Sequence, residues 1–274
     1  MSISEQITQL KQDFDDVKRA GYDEGYEDGI SQGGDTEQAY NQGVEAEKKR
    51  FMELHQDEGQ RIDYTCAFAG WKTENFYPTR SMTPTSAYMM FRSMKGTLID
   101  LVERLAQCGV ELKTSQCTNF QNMFMGAFIK RIGEIDITSV TSATMLSSMF
   151  GSGAIVTIDK FKVKDDGSQD IGTALNGMSY LRNITIEGKL GKSFQIKDSS
   201  KLTTGAEGEF MPDGVTPSNS VQSIIDALMT ITDEVPRTIQ FHQAVRDKLT
   251  PTQEDTIVNV KKWTLLPART VTAE

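Results

Sequence analysis

Three consecutive stretches of this chain repeat one pattern: SQCTNFQNMFMGAFIKRIGEIDI (residues 115–137), TSATMLSSMFGSGAIVTIDKFKV (141–163) and DIGTALNGMSYLRNITIEGKL (170–190). The first two match at a shift of 26 residues, so that apolar positions of one fall on apolar positions of the other. The matched pairs are Phe120/Leu146, Phe124/Phe150, Ile129/Ile155, Ile132/Ile158, Ile135/Phe161 and Ile137/Val163. The third stretch keeps the shift only at Leu181 and Ile184, while Leu175 and Met178 are displaced by a few residues.

A period of this length indicates one turn of a solenoid, since leucine-rich repeats run at roughly 20–29 residues. One turn cannot bury its apolar face alone, so the turns must stack. Each unit opens with polar residues, continues with a short Met-Phe step and ends in an alternating run such as Ile184-Thr185-Ile186. Such alternation is typical of a short strand with one buried face. The alternative is chance alternation within an ordinary β-rich domain.

The repeats predict parallel strands in one sheet, with Phe124 and Phe150 buried one above the other. The pairs Ile135/Ile137, Phe161/Val163 and Ile184/Ile186 should lie in adjacent ladders. The predicted repeat core comprises Phe120, Phe124, Ile135, Ile137, Leu146, Phe150, Phe161, Val163, Ile184 and Ile186.

Residues 61–113 are expected to cap the first repeat. We expect a strand over residues 63–70 and an aromatic cluster that covers the open end of the core, although exposed rings can also stack on sugars. Thr83-Pro84 has the residue types that begin a helix. A second helix is predicted over residues 97–107, ended by Gly109, and a strand at residues 110–112.

The repeats are assigned to residues 114–217 and an α/β closing segment to residues 218–274. Ser220 is expected to cap a helix in the closing segment, and residues 237–242 to form a strand. Thr250-Pro251-Thr252-Gln253 has the pattern of a capping box, and residues 263–266 read as the last strand.

Residues 1–60 are predicted to be an oligomerisation and anchoring segment. Its first helix has apolar residues spaced four, three, four and three apart, as in a coiled-coil seam. Isoleucine at these positions permits trimers, so a homotrimer is expected; the alternative is a helix packed on its own body. Gly-rich residues 20–46 read as a linker. The seam residues are Ile3, Ile7, Leu10, Phe14 and Val17.

The net charge of −9 is unevenly distributed. Residues 1–63 hold 16 acidic and 7 basic side chains, and the remainder holds 22 of each. An acidic chain without a basic stripe argues against nucleic acid as a partner. The sequence shows no run approaching the roughly 20 apolar residues of a membrane helix, and its N-terminus lacks the pattern of a signal peptide.

The sequence predicts no enzyme, no cofactor and no metal site. Neither His55 nor His242 lies beside a pattern typical of a catalytic nucleophile. The acidic pairs Asp165-Asp166 and Asp233-Glu234 are interpreted as solvated loop charges. The three cysteines, Cys66, Cys108 and Cys117, lack metal-like spacing and are expected to be buried free thiols of a chain made in a reducing cytoplasm.

The units NFQNMF (119–124), TMLSSMF (144–150) and LRNITIEGKL (181–190) resemble BspA-type leucine-rich repeats, which read roughly cxxMFxxcxxLxxIxL. The segments SNSVQSIIDALMTI (218–231), RTIQF (237–241) and KLTPTQEDTIVNVKKWTLLPA (248–268) are similar to the closing segment of such repeats in tail or surface proteins of phages and prophages of gut bacteria. The segments DYTCAFAGWKTENFYPT (63–79) and MTPTSAYMMF (82–91) are similar to what precedes the repeats there.

The resemblance implies a non-enzymatic virion protein of the tail, baseplate or a fibre. The N-terminal segment would join copies of the chain and hold other virion proteins, and the body would meet a glycan or protein of the host surface. The alternative is a bacterial leucine-rich-repeat surface or secreted binding protein. The loops Lys164–Asp170 and Thr203–Pro217 are expected to have most freedom, and their single aromatic, Phe210, favours a protein contact over sugar stacking.

Overall fold

The computed structural model describes residues 62–205, 209 and 219–268. These residues belong to one of the two units into which the chain divides, Arg61–Glu274. The predicted coiled-coil seam therefore lies outside the described residues. Within the described part, the fold is α/β, with parallel sheets and a few short helices.

Short strands alternate with long connections. The strands are β1 (Ile62–Asp63), β2 (Pro84–Ser86), β3 (Ile99–Asp100), β4 (Ile129–Asp136), β5 (Thr157–Lys162), β6 (Asn183–Glu187), β7 (Phe194–Ile196), β8 (Thr238–Phe241) and β9 (Thr264–Leu266). The α-helices are α1 (Leu101–Cys108), α2 (Ser220–Ala227), α3 (Gln243–Arg246) and α4 (Pro251–Asp255), the last continued by a π-helical turn, Thr256–Val260. Two 3₁₀ turns span Thr73–Asn75 and Ala143–Leu146.

The strands form three sheets, and every pairing in them is parallel. The largest has the order β3-β4-β5-β6, so that neighbours in sequence are neighbours in space. A two-stranded sheet joins β1 to β2, and a three-stranded sheet has the order β7-β8-β9. Parallel neighbours need a connection that returns to the starting edge, and the four connections between β1 and β5 do so through a column of stacked turns.

Four phenylalanine rings form the centre of that column. Phe68 stacks on Phe91 with ring centroids 5.5 Å apart, Phe91 on Phe124 at 5.2 Å, and Phe124 on Phe150 at 5.8 Å. All four side chains are buried. Neighbouring planes differ by 16° or less, so each connection presents its ring to the next in one orientation.

Backbone hydrogen bonds hold the same column together. The amide of Phe68 donates to the carbonyl of Met90 (2.9 Å), that of Phe91 to Met123 (2.8 Å) and that of Phe124 to Met149 (2.7 Å). The amides two residues before and after each of these phenylalanines donate to the next connection in the same way. The backbone polar groups of four connections are thereby paired with their neighbours, as buried backbone must be.

This pattern shows that the strand predicted over residues 63–70 is wrong beyond Asp63, because residues 65–70 are turns of the column. It also corrects the helix predicted to begin at Thr83-Pro84. Pro84–Ser86 is a strand, and residues 87–94 are consecutive turns with positive φ at Met89 (56°) and Ser93 (56°). An α-helix would direct these amides along its own axis. Every second amide, from Ala87 to Ser93, donates instead to a carbonyl of residues 119–125, and this tertiary ladder overrides the local helix preference.

The register of the main sheet agrees with the 26-residue shift in β4 and β5, where Ile135 pairs with Phe161. The predicted pairing of β6, which placed Ile184 in the same ladder as Ile135 and Phe161, is wrong. Ile184 continues the row of Ile158, and an irregularity in the pairing brings Ile186, not Ile184, opposite Phe161. Between these two pairs, β5 advances by three residues and β6 by only two. The shorter third unit thereby keeps its apolar side chains inward.

The second predicted helix begins later than expected. Asp100 is the N-cap of α1 and accepts a hydrogen bond from the amide of Glu103 (3.0 Å). Residues 97 and 98 therefore lead into β3 (Ile99–Asp100), and the helix begins only after this strand. Leu98 is exposed. Gly109, with φ of 66°, ends the helix as predicted. Of the strand expected at residues 110–112, only an isolated bridge between Leu112 and Met82 is present.

The open edge of β6 is closed by α2. The hydroxyl of Ser220 accepts from the amide of Ile184 (3.0 Å) and the hydroxyl of Ser223 accepts from the amide of Ile186 (2.8 Å). Asn219, not Ser220, is the N-cap of α2. Uncovered strand edges invite association with other chains, and these two hydroxyls take the place of a further strand.

The remaining elements of the closing segment confirm the prediction. The strand expected at residues 237–242 is β8, and that at 263–266 is β9. Thr250 accepts from the amide of Gln253, whose side chain accepts from the amide of Thr250, which completes the capping box of α4.

Candidate binding surface

A row of side chains, exposed except at the half-buried Ala154, runs across the stacked turns immediately before the strands of the main sheet. The carbonyl of Phe128 accepts from the amide of Ile99, and the pairings of β4 with β5 and of β5 with β6 align Phe128, Ala154 and Tyr180. Phe128 is 43% exposed and Tyr180 is 54% exposed. We call this line the aromatic row, and its members are Leu98, Phe128, Ala154, Tyr180 and Lys201.

Lys201 extends the row by one more turn. The amide of Thr203 donates to the carbonyl of Arg182 (2.9 Å), which places Lys201 beside Tyr180. The ammonium nitrogen of Lys201 lies 5.8 Å from the centroid of the Tyr180 ring. A cation at this distance is attracted to the face of the ring.

A second row lies two residues further along each turn. The amide of Val156 donates to the carbonyl of Lys130, and the amide of Arg182 donates to the carbonyl of Val156. The residues between the two rows, Ile129 and Leu181 among them, are buried, so both rows face outward. We call Lys130, Val156 and Arg182 the basic row, and the two rows together the two-row face.

The charged residues on the sheet proper are paired with one another. Arg131 forms a two-point contact with Asp159 (2.9 and 2.9 Å) and lies 3.9 Å from Asp100. Lys160 contacts Glu134 (3.2 Å) and Glu187 (2.9 Å). Cross-strand pairs of opposite charge stabilise a sheet modestly, so these residues serve the sheet first.

The pKa values of this ladder follow from its contacts. The hydrogen bonds that Lys160 donates to Glu187 and Glu134 raise its pKa above the ordinary value. The hydrogen bond from Lys160 lowers the pKa of Glu187. Both groups are therefore held in their charged forms at neutral pH, and each neutralises the other.

A groove of about 490 Å³ lies between α1 and β4. Val102 and Leu105 line one side and Gly133 lies opposite, where an added Cβ would come within 3.3 Å of Val102 Cγ2. Glu111 and Glu134 also line it. The groove is large enough for a small molecule, but its acidic and apolar lining differs from the two-row face.

The first of the two loops expected to contact a ligand is more constrained than predicted. In Lys164–Asp170, Gly167 is buried, and so is Gln169, whose side-chain amide donates to the carbonyls of Ile137 and Val140. In the second loop, Thr203 and Thr204 are buried. The rest of Thr203–Pro217, apart from Gly205 and Glu209, lies outside the described residues.

His242 has a structural contact. Its Nδ1 accepts from the amide of Ala244 (3.0 Å) at the start of α3. Asp233 accepts from the guanidinium of Arg237 (3.0 Å), and Asp166 accepts from the amide of Ser168 (2.9 Å), so one member of each acidic pair is engaged in its own loop. The hydrogen bonds of Ser168 lower the pKa of Asp166.

The cysteines do not all match the prediction. Cys117 is buried, Cys108 is half-buried and Cys66 is exposed. Cys66 is exposed because it occupies a turn position with φ of 58°, which directs its side chain away from the core.

The ten predicted repeat-core residues are all buried. The structure thus places them inside the body and none on its surface. Within residues 62–205, 209 and 219–268, no group of three His, Cys, Asp or Glu side chains could hold a metal ion. Over the same residues, no helix combines the length and the apolarity that a membrane crossing requires.

Sequence reasoning missed the aromatic row, although a signal was present. Phe128, Ala154 and Tyr180 are spaced at 26 residues, the same interval as the repeats. They differ from the core positions because their side chains are not all apolar and of similar size. Lys201 follows Tyr180 at an interval of 21 residues, which only the structure relates to the others.

Comparison with known proteins gives no match: no family model, no curated protein and no solved structure is similar to this chain.

Proposed function

We propose that this chain is a non-enzymatic structural protein of a phage particle, whose body is a short leucine-rich-repeat solenoid that takes part in host attachment. The observation that carries the proposal is the regular stack itself, in which Phe68, Phe91, Phe124 and Phe150 occupy equivalent places. Stacked repeats create extended surfaces that suit large partners. The two-row face is such a surface.

The particle location rests on the resemblance of the repeats and of the closing segment to phage and prophage proteins. The N-terminal seam supports it further, because attachment proteins gain avidity when several copies are joined. In this proposal, residues 1–60 join copies of the chain and hold other virion proteins, and the body faces outward.

The experiment uses particles from the host that encodes the chain. Mass spectrometry of purified particles should find the chain as a stoichiometric component, and antibodies against residues 62–268 should reduce adsorption of particles to host cells. Detection in the cell envelope and not in particles would instead support a bacterial surface protein. Particles that contain the chain but adsorb normally with antibody bound would limit it to a structural role.

A further inference from the structure

We propose that the two-row face binds an acidic polysaccharide, with sugar rings against Phe128 and Tyr180 and carboxylates against Lys130 and Lys201. This inference rests on the proposed attachment function and specifies its ligand. It is drawn from the order of the side chains across four turns and from their charge.

The two exposed rings of the aromatic row are spaced at a distance that a chain of sugar rings can span. Phe128 and Tyr180 are two turns apart in the aromatic row, and Ala154 lies between them. Adjacent parallel strands are about 4.8 Å apart, so the two residues are separated by roughly 10 Å. The small side chain of Ala154 does not block the space between the two exposed rings, which suits a ligand that is itself a chain of rings.

The rings of Phe128 and Tyr180 are partly exposed and do not belong to the buried core. Large aromatic side chains normally contribute most when buried, and the other phenylalanines of these turns, Phe124 and Phe150, are fully buried. Phe128 and Tyr180 leave 43% and 54% of their surface in solvent. Isolated exposed rings are ordinary, but two in one row, beside cations, form a surface.

The cations of the two-row face differ from those of the sheet in their ion pairs. The cations of the sheet ladder, Arg131, Lys160 and Lys162, are matched by carboxylates. Lys130 and Lys201 take part in none of the ion pairs of the described part of the chain. Cations outside such pairs are available to attract anionic groups, and Lys201 already lies over the Tyr180 ring.

An acidic polysaccharide meets both requirements. The faces of sugar rings carry C–H groups that pack on aromatic rings, and uronate carboxylates pair with ammonium and guanidinium groups. Single-stranded nucleic acid also combines rings and negative charge, but it needs a basic groove that follows every phosphate. Three cations beside a ladder of five carboxylates do not form such a groove.

The test measures binding of the full chain to polygalacturonate, an acidic polymer of sugar rings, by biolayer interferometry. Dextran supplies neutral rings, and poly-glutamate supplies carboxylates without rings. The chain should bind polygalacturonate and bind the other two at least about tenfold more weakly, a difference of about 1.4 kcal/mol. Absence of binding to polygalacturonate, or equal binding to poly-glutamate, overturns the inference.

Variants assign the site. Phe128→Ala with Tyr180→Ala, and separately Lys130→Gln with Lys201→Gln, should each weaken binding about tenfold or more. Val258→Ala with Val260→Ala is the matched control, because these side chains are also exposed but lie in the closing segment. Unchanged melting temperatures show that the variants fold. Wild-type affinity in both two-row variants would contradict the proposal.

The failure of this inference can be told apart from failure of the proposed function. A chain that binds host cells but not polygalacturonate, and whose two-row variants still bind cells, retains the attachment function and loses this ligand assignment. A chain that binds polygalacturonate but is absent from particles retains the ligand and loses the virion assignment.

Discussion

The rings of Phe124 and Phe150 lie with their centroids 5.8 Å apart and their planes within 12° of parallel, although the two residues are 26 positions apart in sequence. The amide of Phe124 also donates to the carbonyl of Met149 (2.7 Å). Side-chain stacking and backbone pairing therefore coincide at one position of each turn. This coincidence fixes how the turns align, and it suggests where the fold is most sensitive to change.

Phe150→Ala should lower the free energy of unfolding by about 3–5 kcal/mol, the usual range for removal of a buried aromatic side chain. The ring is fully buried and contacts the rings of Phe124 and Phe161. Phe128→Ala is the control, since its ring is partly exposed, and it should cost much less. Denaturant unfolding of both variants checks this; equal losses would contradict the stacked arrangement.

Ser220→Ala and Ser223→Ala should each cost about 1–3 kcal/mol, because each leaves a strand amide of β6 without its acceptor. The affected amides are those of Ile184 and Ile186. Hydrogen exchange should accelerate at these two amides in the corresponding variant. Ser179→Ala, at an exposed position, is the control; unchanged exchange in β6 would show that α2 does not close the sheet edge.

Equivalent positions in two adjacent turns offer a matched pair of backbone tests. Ser152 has φ of 56° and Gly126 has φ of 68°. Left-handed backbone costs a residue with a Cβ about 1–2 kcal/mol relative to glycine. Ser152→Gly should therefore stabilise the chain and Gly126→Ala should destabilise it by about 1 kcal/mol.

The nearest atom to a Cβ added at Gly126 is 3.7 Å away, so the expected loss comes from backbone conformation and not from a clash. Melting temperatures of the two variants should move in opposite directions. A shift of both in the same direction would indicate that these turns adopt another conformation.

The N-terminal seam lies outside the described residues, and its association remains a prediction. Ile7→Asp with Leu10→Asp should convert a trimer to monomers, because charges in a coiled-coil core are unpaired. Gln9→Asp, off the seam, should leave the trimer intact. Light scattering gives the mass directly; a monomeric wild-type chain would contradict the prediction.

Part of the fold could be predicted because the repeats share one interval. The 26-residue shift relates Phe124 to Phe150 and Ile135 to Phe161, and strand pairing follows from it. The earlier turns were missed because their intervals differ: Phe91 follows Phe68 by 23 residues, and Phe124 follows Phe91 by 33 because α1 is inserted.

Local preference misled the interpretation of residues 83–92 for a related reason. Thr83-Pro84 followed by Met and aromatic residues resembles a helix start, but the amides of Met89 and Phe91 are bound by the neighbouring turn. The sequence does not display such long-range partners. The candidate site was missed in the same way, since Lys201 joins Tyr180 only once the turns are stacked.

Host attachment is tested most directly by binding of the purified full chain, fluorescently labelled, to cells of the host, measured by flow cytometry. Attachment through the two-row face requires saturable binding, competition by unlabelled chain, and a marked loss of binding when Phe128, Tyr180, Lys130 and Lys201 are all replaced. Absence of saturable binding by the folded, oligomeric chain would contradict the attachment role.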